Sequence, residues 1–196
     1  MSDVGERMLL GLRRIREALE GSQPLGFGKK VGPTYVFVRH HEMGGEIYFW
    51  YSRDKQEGQN VPIRERDLTG YLLSIWRFDR GDDTTGEAVP KLNVQIRADK
   101  DYVIQTGFST NFAKTLLTGL LQLEPRALEE PLTLVAEDNA GSRARPTVFC
   151  RVESGGIRMT PTLSREVKPE TLYAGVTERF GFSNPYGAGE GESIEG

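Results

Sequence analysis

The chain predicts a mainly β fold, a small antiparallel barrel or curled sheet with one covering helix. Three observations carry that expectation. From Thr34 onward apolar residues recur mostly with a period of two. Beyond that point one stretch, following Ser109, has the 3.6-residue period of a helix. The order of strands, one helix, then more strands lacks the strand–helix alternation of a doubly wound parallel sheet.

Met8, Leu12, Ile15 and Leu19 form a narrow helical stripe, so residues 1–20 read as an N-terminal helical arm. Pro24, Gly26, Gly28, Gly32 and Pro33 make residues 21–33 a Gly/Pro linker. Thr34–His40, Gly45–Ser52, Leu68–Phe78, Pro90–Ala98 and Asp101–Gly107 are the first strand candidates. The clearest is Lys91–Ala98, where Leu92, Val94, Ile96 and Ala98 face a core while Lys91, Asn93, Gln95 and Arg97 face outward. Asp99-Lys100 turns that strand into the next. Ser109 or Thr110 caps a helix with Phe112, Leu116, Gly119, Leu120 and Leu123 on one face, and Pro125 lies past its end. Pro131–Glu137, Thr147–Glu153 and Ile157–Pro161 complete a barrel domain over residues 34–161. Residues 162–196 lose periodicity and read as an irregular segment, with a disordered acidic Gly-rich tail over Gly187–Gly196.

The 196 residues can bury a core without staples, and the single cysteine, Cys150, excludes an internal disulfide framework. A net charge of −3 excludes a wholly basic nucleic-acid coat but leaves room for a local basic groove. No apolar run approaches a membrane span, and the N-terminus does not read as a secretory signal, so a cytoplasmic protein is expected. The Gly-x-Ser-x-Gly elbow and the Gly-x4-Gly-Lys-Ser/Thr phosphate loop do not occur. His40 and His41 are adjacent and point to opposite faces of a strand, which disfavours a shared metal. Asp79, Asp82 and Asp83 lack calcium-loop spacing, and Cys150 alternates with Val148 and Val152 as a small core residue would. Neither a catalytic set nor a cofactor is expected, and the chain reads as a non-enzyme.

The aromatic residues are concentrated instead. Tyr35, Phe37, Tyr48, Phe49, Trp50, Tyr51, Trp76 and Phe78 are interleaved with Arg39, Arg53, Lys55, Arg64, Arg66, Arg77 and Arg80. Alternation places Ile47, Phe49 and Tyr51 on one face of a strand and Tyr48 and Trp50 on the other. If Phe49 packs inward, Tyr48 and Trp50 remain outside. Exposed rings beside cations suit single-stranded nucleic acid, because every base offers a π-face and each stack contributes about 1–3 kcal/mol. Core packing with a solvated charged rim is the competing reading of the same residues.

The run Asp67-Leu68-Thr69-Gly70-Tyr71-Leu72-Leu73-Ser74-Ile75-Trp76-Arg77 resembles the first barrel strand of OB-fold single-stranded DNA-binding proteins, in which glycine lets one coiled strand serve two sheets. The resemblance covers about residues 66–160 and rests on pattern. It implies an OB-like barrel and non-catalytic binding of single-stranded DNA in replication or recombination, in a setting such as a phage or plasmid. Tyr35–Ser52 then forms an added aromatic hairpin, and the tail ending Ser193-Ile194-Glu195-Gly196 departs from the Pro-Phe tip of the bacterial version. The expected site has Tyr48, Trp50 and Trp76 stacking on bases and Arg53, Lys55, Arg77, Lys91 and Arg97 along the phosphates. RNA on the same groove is indistinguishable at this level. The rival is an assembly subunit that docks a protein partner through its aromatic strands, the Met8–Leu19 helix or the acidic tail. A homo-oligomer is compatible with either.

Overall fold

A computed structural model describes residues 32–54, 58–81, 88–139, 146–159 and 167–185. The expected N-terminal arm, most of the linker and the acidic tail lie outside these residues. Nine strands form one sheet: β1 (Thr34–Met43), β2 (Glu46–Arg53), β3 (Asn60–Ile63), β4 (Asp67–Gly81), β5 (Ala88–Arg97), β6 (Asp101–Gly107), β7 (Leu132–Asp138), β8 (Val148–Ser154) and β9 (Ile157–Met159). Their spatial order is β3-β2-β1-β6-β5-β4-β7-β8-β9. Every pairing is antiparallel except that of β1 with β6. Two α-helices accompany the sheet among the described residues, α1 (Asn111–Leu121) and α2 (Pro169–Phe180), with a short 3-10 turn at Pro125–Glu129.

The alternation read in Lys91–Ala98 holds for Leu92, Val94 and Ile96, which are buried in the core. Ala98, however, is exposed past the end of β5, and Asn93, read as outward-facing, is buried. Across the ladders Ile75, Val94, Ile104 and Val36 are successive partners or neighbours on that same face, and α1 packs against it. Thr110 caps α1 by accepting the Ala113 N–H at 3.2 Å. Phe112, Leu116 and Leu120 are buried as the spacing predicts, and Leu117 is buried too, since α2 packs on the far side of the helix. Gly119 sets how close α1 lies to β8. A Cβ there would sit 2.8 Å from Cγ2 of Val152.

The strand that resembled a shared barrel strand does serve two ladders. Residues 67–70 of β4 pair with β7, and residues 71–81 pair with β5 across an irregularity between Leu72 and Ser74. At the changeover a Cβ on Gly70 would lie 2.5 Å from the Arg97 carbonyl oxygen, so backbones cross here at a distance only glycine permits. The order β4, β5–β6 hairpin, α1, β7–β8 hairpin matches the expected strand–helix–strand sequence.

The closed small barrel does not form. Closure would require β6 to meet β8, but the open edge of β6 is taken in parallel by β1, with Thr34 opposite Tyr102 and Phe37 opposite Gln105. The sheet therefore continues into β2 and β3 and ends at two free edges, β3 and β9. It still curls: His40 Nε2 of β1 lies 3.4 Å from Asp138 Oδ2 of β7.

Two elements fall outside the expectation. β3 contains Pro62, which suits an edge strand. Helix α2 lies in the segment read as irregular. It starts on Pro169 and ends at Gly181 in a left-handed conformation (φ 69°), and it buries chiefly Leu172 and Val176. Tyr173 Oη accepts the Arg77 N–H at 3.2 Å, and Ser74 Oγ donates to the Ser183 carbonyl at 2.6 Å, so this segment covers the side of β4 that β7 leaves unpaired.

Candidate nucleic-acid interface

Residues opposite each other in a ladder point to the same face, as do residues two apart in a strand. One cross-strand row runs Pro62, Tyr51, Phe37, Gln105, Asn93 and Trp76 through β3, β2, β1, β6, β5 and β4. Stepping by two along the strands adds Arg53, Lys91 and Arg80 to that face. It is the face turned away from α1.

On it lies an open depression of about 350 Å³ lined by Phe37, Tyr51, Arg53, Gly58, Asn60, Arg80, Lys91 and Gln105. The Phe37 and Tyr51 rings stack with centroids 5.3 Å apart and planes 23° from parallel. Arg53 and Asn60 are ladder partners brought together by a turn in which Gly58, at φ 65°, donates to the Asp54 carbonyl at 3.0 Å. Among the described residues the lining supplies three cationic side chains and no carboxylate. Burial raises the Tyr51 phenol above its ordinary value, against an opposing effect of Arg39, so the ring is neutral at physiological pH. Chemically, this is an aromatic platform of two stacked rings beside positive charge.

The structure brings only Arg53 and Lys91 of the expected site residues into this depression. Tyr48, Trp50 and Trp76 are buried, Trp50 and Trp76 to 3% exposure, and rings so enclosed offer no face to a base. Trp50 points toward α1, edge-on to Phe112 at 5.5 Å, and its Nε1 donates to the Arg66 carbonyl at 3.0 Å. Tyr48 donates its hydroxyl to Glu46. Arg77 lies on the opposite face from Trp76, with its guanidinium 5.1 Å over the Phe108 ring and 3.2 Å from Asp79. Arg97 is bound at both ends of its fork by Asp101, at 2.7 and 3.0 Å, which occupies its charge. Lys55 lies outside the described residues.

Phe37, Tyr51, Arg80 and Gln105 take the places assigned elsewhere. The expectation that an inward Phe49 leaves Tyr48 and Trp50 outside fails: all three are buried. Phe49 and Trp50 lie in one core cluster beside the register shift of β1. Trp50 turns inward against Phe112, about sixty residues on, while Tyr51 stays partly exposed. Elsewhere, Cys150 is buried and the loss of solvation raises its thiol above the ordinary value. Among the described residues no three or more His, Cys, Asp or Glu side chains come together as a metal site. No described helix is long and apolar enough to cross a membrane. No family model, curated protein or solved structure matches the chain.

Proposed function

We propose that the protein binds single-stranded DNA without catalysis, on the outer face of its sheet, in replication or recombination. The observation that supports this most is the stacked Phe37–Tyr51 pair bordered by Arg53 and Lys91, with no carboxylate among the described lining residues. A base stacks on the platform whatever its identity, and the cations follow the phosphates. The OB-fold resemblance enters as mechanism: an aromatic and basic sheet face that holds a strand, here on an open sheet extended by β1–β3.

Anisotropy of a labelled 30-nucleotide oligothymidylate, titrated at low and high salt, tests the reading. Saturable binding at low salt that weakens steeply with salt is expected. Tyr51→Ala or Phe37→Ala should each cost about 1–3 kcal/mol of that affinity. An oligouridylate of equal length bound more tightly than the DNA would make RNA the ligand. No binding at low salt rejects the proposal.

A further inference from the structure

Gln105 has a part at this site that stacking and charge leave unassigned. It lines the depression directly opposite Phe37 in the β1–β6 ladder. Its Nε2 donates to Oδ1 of Asn93, its partner on β5, at 3.2 Å. Asn93 is 4% exposed, so the group that holds the Gln105 amide is itself enclosed. Among the described residues the other N–H and the carbonyl oxygen of Gln105 have no hydrogen-bond partner.

A carboxamide carries a donor and an acceptor side by side. Each of the four nucleobases, when unpaired, presents a complementary acceptor and donor side by side on its Watson–Crick edge, and in a duplex those groups are consumed. We infer that Gln105 anchors the edge of a base stacked on Phe37 and Tyr51, making the site selective for unpaired bases and indifferent to which base is bound. The inference rests on the nucleic-acid reading of this depression. A residue that only shaped the surface would have no need of an oriented amide at the rim of the platform. Orientation by Asn93 also lowers the entropy lost when the side chain meets a base.

The experiment compares the wild-type chain with Gln105→Ala across a salt series on oligothymidylate, oligodeoxyadenylate and a 30-base-pair duplex. Gln105→Met, which keeps the side-chain length without its polar atoms, stands in if the Ala variant melts lower. About a tenfold loss of affinity is expected, equal on both single strands, with the slope of log affinity against log salt unchanged and duplex binding unaffected. Unchanged affinity overturns the inference, as does an altered salt slope, an equal loss on duplex, or a loss confined to one base. In each of those cases wild-type binding to single strands persists, which separates this failure from that of the proposed function itself.

Discussion

Thr115 on α1 and Cys150 on β8 are joined by a hydrogen bond of 2.7 Å, in which the strand's backbone N–H donates to the helix hydroxyl. The same hydroxyl donates to the Asn111 carbonyl at 2.8 Å, so a buried polar side chain is satisfied in both roles. Thr115→Val keeps the shape but leaves the Cys150 N–H buried without a partner, which costs about 1–3 kcal/mol. Thr115→Ser should recover most of that loss. Urea unfolding followed by far-UV circular dichroism measures both, and equal stability of the Val variant would show that the bond contributes nothing.

At Gly119, alanine is the better helix former by about 1 kcal/mol, yet its Cβ meets Val152. Overpacking at such a position costs about 1–3 kcal/mol, so Gly119→Ala should be net destabilising. In a double-mutant cycle with Val152→Ala the penalty should shrink, because the larger side chain then enters the space released. Additive losses would mean that α1 shifts instead of pressing on β8.

Trp50 and Tyr51 are neighbours in sequence with opposite expected phenotypes. Trp50→Ala should destabilise the fold by about 3–5 kcal/mol, since it empties a core site against Phe112. Tyr51→Ala should leave the melting temperature nearly unchanged while weakening oligonucleotide binding. Thermal melts and anisotropy on the same preparations separate the two, and a folded Trp50→Ala with selectively weakened binding would reverse the assignment.

The salt slope assigns the cations. Neutralising one side chain that pairs with a phosphate of a single strand should reduce the slope of log affinity against log salt by about 0.7. Arg53→Gln and Lys91→Gln should each do so. Arg97→Gln should not, because Asp101 already occupies that guanidinium.

Alkaline pH should destabilise the protein through Cys150. The thiol is held above its ordinary value of 9.0 in the folded chain, so above that pH the unfolded state releases a proton that the folded state retains. Stability therefore stands in full below about pH 9 and falls as pH rises beyond it. Cys150→Ala lowers stability at neutral pH but should flatten this decline. Denaturation midpoints between about pH 8 and pH 10.5 give the comparison, and identical slopes would remove Cys150 as the cause.

How far the sequence carries is set by how local the deciding interactions are. The alternation of Leu92, Val94 and Ile96 and the Thr110 cap are each encoded within a few residues, and each is legible. The face of β2 is not, because Trp50 and Tyr51 both suit a core until Phe112 is placed. Arg97 looks like a phosphate ligand until Asp101 folds back across the hairpin. Helix α2 buries too narrow a stripe, chiefly Leu172 and Val176, to stand out from its polar surroundings. The failure of the barrel to close is least legible of all, since it depends on a strand preceding the segment that carries the barrel pattern.

That parallel pairing of β1 with β6 also has a temporal consequence. β1, β2 and β3 form a meander from neighbouring sequence, and β5 with β6 forms a hairpin, so each can arise early. Their junction joins residues in the thirties to residues beyond one hundred, and must wait for a long loop to close. Phe37 and Tyr51 belong to the meander, Gln105, Lys91 and Arg80 to the other side, so the depression comes into being only when this late step completes. A ligand seated there would hold the junction shut, and slowed amide exchange along β1 and β6 would be its mark.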